Sequence, residues 1–128
     1  MKQQQAVIVK EFPSQVNVAE CRRFCRELRQ ELGDAYRPQV IFDLSRVQHM
    51  TAQGVDLLVR CIDQIADQDG ELKFAAASPQ TQLVLELTQI SGLADSYESV
   101  EDATESWMRE AQGPTAEPEP PTRSAGSA

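Results

Sequence analysis

Three short apolar runs, "AVIVKEF" (6–12), "PQVIFDL" (38–44) and "ELKFAAA" (71–77), are separated by stretches whose apolar residues recur every three or four positions. Short β-branched runs bounded by turn residues form strands, and recurrence at three and four forms helices. Pro13 closes the first run. In the second, Val40, Ile41 and Phe42 are consecutive, which suits a strand buried on both faces of an α/β sheet. Strand–helix–strand order implies parallel pairs joined by right-handed crossovers. Functional groups in such sheets gather at the C-terminal ends of strands.

The helical stretches carry their own punctuation. Asn17 is placed to cap a helix whose stripe is Val18, Cys21, Cys25, Leu28 and Leu32, and Gly33 stops it. Arg22, Arg23, Arg26 and Arg29 form its outer face, which could hold a polyanion. Glu27 and Glu31 interleave with them and favour plain solvation with some ion pairs. A second helix starts near Gly54, carries Val55, Leu58, Cys61, Ile62, Ile65 and Ala66, and ends by Gly70. Ser78 caps a third, with Pro79 at its first position and Leu83, Val84 and Leu87 as its stripe. Residues 91–99 form a connection with a short strand around Tyr97. Ser99 caps a last helix bearing Val100, Ala103, Trp107 and Met108. From Gly113 the text becomes "GPTAEPEPPTRSAGSA", with no bulky apolar residue. The expected organisation is one domain over 1–112 and a disordered tail over 113–128, a tether, a docking peptide or dispensable.

Charge narrows the function classes. The net charge of −8 argues against general nucleic-acid binding and against adsorption to anionic lipid. Residues 1–60 carry 9 basic and 7 acidic groups, whereas residues 61–112 carry 2 and 11. The acidic half could steer a basic partner or serve as a solvated surface. Aromatics are only 5%, so a mostly aliphatic core is expected. No stretch approaches a membrane span, and the expected location is cytoplasmic.

Catalytic constellations are scarce. There is no Gly-rich dinucleotide fingerprint, P-loop or nucleophile elbow. His49 is the only histidine and has no obvious orienting acid. Asp43 could cap the turn toward Ser45 or act as an acid or base. Cys21, Cys25 and Cys61 with His49 make a poor zinc set and read better as small buried hydrophobes. No catalytic residue, metal or cofactor is assigned, and the chain is expected not to be an enzyme.

The remaining feature is the junction "QHMTAQGVDLL" (48–58), between the second strand and the second helix. A helix N-terminus has free N–H groups and a positive dipole end that stabilise an anion. A hydroxyl there caps the helix when bare and adds roughly −1.5 to −2 charges when phosphorylated.

Together "VIFDLSRVQHM", "GVDLL", "DGELKFAAASPQTQLVLELTQISGL" and "SVEDATESW" resemble the STAS family, named for sulphate transporters and anti-sigma factor antagonists, over about residues 5–110. The resemblance implies a single domain with a mixed four- to five-stranded sheet and about four helices packed on it. It also implies a non-enzymatic binding module. Bacterial members bind a kinase-like anti-sigma factor and so free a sigma factor, and phosphorylation of the first Ser in D-S-[ST]-G releases the complex. Asp43 and Gly54 keep that pattern's spacing. Thr51 then stands at the motif's Asp, Ala52 at the acceptor Ser and Gln53 at the second Ser, and Gly54 alone is retained.

The resemblance thus implies a partner-binding loop and helix start at Thr51, Ala52, Gln53, Gly54, Val55 and Asp56, with Asp63 able to define the same face. The partner would be an anti-sigma factor or serine kinase-like protein, with no nucleic acid and no insertion into membrane. One reading has the switch lost at Ala52. A second moves the phospho-acceptor to Thr51, where helix capping competes as an explanation. A third makes the chain an accessory subunit or scaffold of a transport ATPase or signalling complex.

Overall fold

The computed structural model describes residues 7–112, so the tail expected from Gly113 lies outside the described residues. The elements are β1 (Val7–Glu11), α1 (Val18–Leu32), β2 (Gln39–Asp43), α2 (Ala52–Ala66), β3 (Glu71–Ala75), α3 (Pro79–Leu87), a 3₁₀ turn (Ile90–Gly92), β4 (Asp95–Tyr97) and α4 (Val100–Gln112). The strands lie side by side in the order β1-β2-β3-β4. The α/β class holds, with four strands and four helices. Every pair among the described residues is parallel.

β2 is the strand around which the layers form. Val40, Ile41 and Phe42 are fully buried. Period-two alternation sends Val40 and Phe42 into one layer with residues of α1, α2 and α3, and Ile41 into another with Ala103 and Trp107 of α4. Despite the low aromatic content, the four phenylalanines sit together at the centre. Phe12 meets Phe24 edge-on at 5.3 Å between centroids, and Phe42 lies 5.4 Å from Phe24 and 6.5 Å from Phe74. Phe24 was absent from the expected stripe of α1; it is buried with Leu28 and Leu32, whereas Val18 is exposed.

Two further expectations shift. α2 begins at Ala52, because Thr51 rather than a residue nearer Gly54 takes the cap. In α3 Thr81 and Leu85 are buried and Val84 is half-buried against the core, as its stripe predicts, whereas Leu83 and Leu87 are exposed. Thr81 can face inward because the Ser78 hydroxyl donates to its Oγ1 at 3.1 Å. That turns the helix away from the register its leucines suggested.

On the other sheet face, Lys73 of β3 is wholly buried. Its ammonium hydrogen-bonds the Ser106 hydroxyl, lies 3.6 Å from a Glu110 carboxylate oxygen, and sits 4.2 Å from the Trp107 ring centre and 5.1 Å from that of Tyr97. The Trp107 indole N–H donates to Glu71 at 2.8 Å. Lys73 thereby ties β3, β4 and α4 together. Lys73→Ala is expected to lose about 2–5 kcal/mol through the void beneath Trp107. Lys73→Met should stay at or above wild-type stability, because an apolar chain of similar length needs no desolvation. Urea unfolding of both variants checks this.

Candidate functional site

The site is built where β1 and β2 end. The Phe12 N–H donates to the Asp43 carbonyl at 2.9 Å, and the Leu44 N–H donates to Ala75 at 2.8 Å. These bonds carry the parallel pairing past the strands' last residues and bring the following loops side by side. Asp43 Oδ1 then accepts the Ser45 N–H at 2.9 Å, so Asp43 closes the turn. Leu44, Val47 and Met50 are buried and pin the loop to the core. The Met50 N–H donates to Gln80 Oε1 at 3.1 Å, tying the loop to α3.

The corner is therefore held before the helix begins. Thr51 is extended (φ −93°, ψ 172°) and its hydroxyl oxygen accepts the Gly54 N–H at 3.2 Å. That is N-capping, one of the two roles open to Thr51. Ala52 follows at the first helical position with an exposed methyl group. Thr51, Ala52, Gln53 and Asp56 are exposed, as is Asp63 two turns on. Gly54 is buried and Val55 half-buried against the core, so these two shape the corner from inside. A Cβ on Gly54 would stand 2.6 Å from Met50 Sδ, so glycine allows this close approach of helix to loop.

Between the β1–α1 and β2–α2 loops lies a cavity of about 500 Å³. Its walls include apolar Phe12, Val16 and Val47 and polar Gln15, His49 and Thr51. His49 is exposed on its rim. Beside it Arg46 pairs with Glu11 at 3.5 Å, with both side chains exposed.

The thiols lie apart from this corner. Burial pushes the Cys61 thiol far up, with Cys25 reinforcing the shift, and burial likewise raises Cys21. Cys61 is buried and Cys21 and Cys25 half-buried, as small hydrophobes would be. Among the described residues, no three His, Cys, Asp or Glu side chains cluster to hold a metal ion. None of their helices is long and apolar enough to cross a membrane.

The family model described as the STAS domain matches residues 1–103. The chain belongs to the STAS family. Solved structures share its fold. A Thermotoga maritima protein described as an anti-sigma factor antagonist is 20% identical over 80% of this chain and 88% of that chain, with a TM-score of 0.67. An anti-sigma factor antagonist domain protein from Planctomyces limnophilus is 23% identical over 82% and 92%, with a TM-score of 0.67. The STAS domain of a SulP transporter from Vibrio cholerae is 16% identical over 87% and 88%, with a TM-score of 0.69. At these identities the likeness speaks for the fold alone. No curated protein matches the chain significantly.

Within this STAS domain, sequence reasoning found the corner but missed Gln80. A side chain that anchors a loop 30 positions earlier leaves no local signal. Removing the Thr51 cap by Thr51→Ala should cost about 1 kcal/mol, and Thr51→Ser should keep most of that stability. Urea midpoints of the two variants check the expectation.

Proposed function

We propose that this STAS domain is a bacterial, cytoplasmic, non-enzymatic regulator of the anti-sigma factor antagonist type, which binds a kinase-like anti-sigma factor without the usual phospho-serine switch. The observation that carries the reading is the exposed methyl group of Ala52 at the first position of α2. Aligned on Asp43 and Gly54, this is the family's acceptor position. The docking face on this reading is Thr51, Ala52, Gln53 and Asp56, continued by Asp63 along α2. A corner pinned by Leu44, Val47, Met50 and the Gln80 hydrogen bond offers that face with little left to order on binding.

With no hydroxyl at Ala52, the complex stays in its uncharged, binding-competent form. Thr51 supplies the nearest hydroxyl, one residue earlier and already engaged as the cap. The competing reading is an accessory subunit or scaffold of a transport ATPase or signalling complex; a transporter STAS domain has the same fold. The two predict different partners.

Affinity purification of the full chain from its own cells should recover a kinase-like anti-sigma factor, and ATP should not dissociate the complex. Recovery of an ATPase subunit instead decides for the second reading. Ala52→Ser should gain a phosphate from the kinase by mass spectrometry. Labelling of wild type that disappears in Thr51→Ala would show the switch moved rather than lost. Ala52→Asp should weaken the complex roughly tenfold or more by placing a charge in the face. The same change favours the helix dipole, so weaker binding would not reflect unfolding.

A further inference from the structure

The arginine face of α1 differs from what its sequence suggests. The glutamates that interleave with the arginines are engaged elsewhere. Glu27 and Glu31 both turn to Lys10 of β1, at 3.0 and 3.7 Å, and Glu20 pairs with Arg23 at 2.6 Å. Lys10 holds the Glu27 carboxyl below the usual range. Arg22, Arg26 and Arg29 are left without an ion pair to any carboxylate among the described residues, and so is Arg60 of α2.

These four guanidinium groups line one groove of about 620 Å³ between α1 and α2. Arg22, Arg26 and Arg29 follow one another at i, i+4 and i+7, a row about 10 Å long at 1.5 Å per residue. Val18, Cys21 and Cys25 also line the groove, and Asp56 is its one carboxylate among the described residues. No aromatic side chain lines it to stack on a nucleobase. On a chain of net charge −8, four exposed arginines without carboxylate partners are held in a place that attracts a local anion.

We propose that this α1–α2 groove docks an acidic, amphipathic peptide segment of a partner protein. Its carboxylates pair with Arg22, Arg26, Arg29 and Arg60 while its apolar side lies on Val18, Cys21 and Cys25. Guanidinium forks bind carboxylates in bidentate fashion, and the matching helical spacing is i, i+4, i+7. The peptide class is favoured over a phosphate ligand by the apolar side chains of Val18, Cys21 and Cys25 in the lining, which a phosphate cannot use. The groove shares Gln53 with the corner cavity, so one partner can reach both. The inference stands on the arginines and does not require the anti-sigma reading.

The test uses the full chain and a fluorescein-labelled amphipathic peptide about 15 residues long, near the length at which an isolated helix becomes marginally stable. The peptide carries Glu at i, i+4 and i+7. Its Glu→Gln counterpart and inorganic tripolyphosphate are the comparison probes. Binding by anisotropy should fall roughly tenfold in the Arg22→Gln/Arg26→Gln double variant and weaken from about 50 to 300 mM salt. Arg23→Gln, whose arginine is paired with Glu20 outside the groove, should bind as wild type. Unfolding midpoints confirm that all variants are folded. No binding, equal binding of the Gln counterpart, an equal loss in Arg23→Gln, or tighter binding of tripolyphosphate at the same arginines would each overturn the proposal.

Discussion

The parallel register of β2 between β1 and β3 is the constraint on which the rest depends. Val40 pairs with Ile8 and Leu72, and Phe42 with Lys10 and Phe74. A slip of one residue would send Ile41 into the phenylalanine cluster and Phe42 beneath Trp107. The register also fixes where the strands end. It sets Phe12 against Asp43, and so the β1–α1 loop against the β2–α2 loop. The corner at Thr51 is thus positioned by the middle of the sheet, well before any side chain of the corner is considered.

Much of this was legible because it is local. Asn17, Ser78 and Ser99 cap helices with their own side chains, and Thr51 does the same one turn before the helix its stripe predicts. What failed was non-local. The α3 stripe was read from leucines, yet a threonine faces inward because a neighbouring serine satisfies it. Lys73 stands in a run that reads as a fully buried strand. Its partners Ser106, Trp107 and Glu110 lie more than 30 positions away, on a helix the run cannot foretell. For the candidate site, its place at a strand-to-helix corner could be read from the sequence, and the family resemblance supplied the expectation that Ala52 stands at the acceptor position. The engagement of Thr51 Oγ1 by Gly54 and the anchoring by Gln80 required the fold.

The two glutamates of α1 show why interleaved charges in a sequence are a poor guide to pairing. On a helix, Glu27 stands four residues from Arg23, so an intrahelical pair is the natural expectation there. Lys10 changes the outcome because β1 brings a largely buried ammonium over Phe24, where it needs carboxylates more than the exposed arginines do. Two acids are drawn to one cation, and the arginine row is uncovered as a consequence of core packing.

The same topology separates the arginine row of α1 from the acidic run of α4. Successive parallel strands laid in order place α1, α2 and α3 against the layer of Val40 and Phe42, whereas α4 closes the layer of Ile41. The arginines of α1 therefore lie on one side of the sheet, and Glu101, Asp102, Glu105 and Glu110 of α4 on the other. The arginine row is a local basic stripe, and its pull on an approaching acidic segment weakens as salt rises. An acidic partner segment is drawn to the side that carries both the groove and the helix whose first turn is the Thr51 corner. The acidic face of α4 repels it and remains available to a basic one.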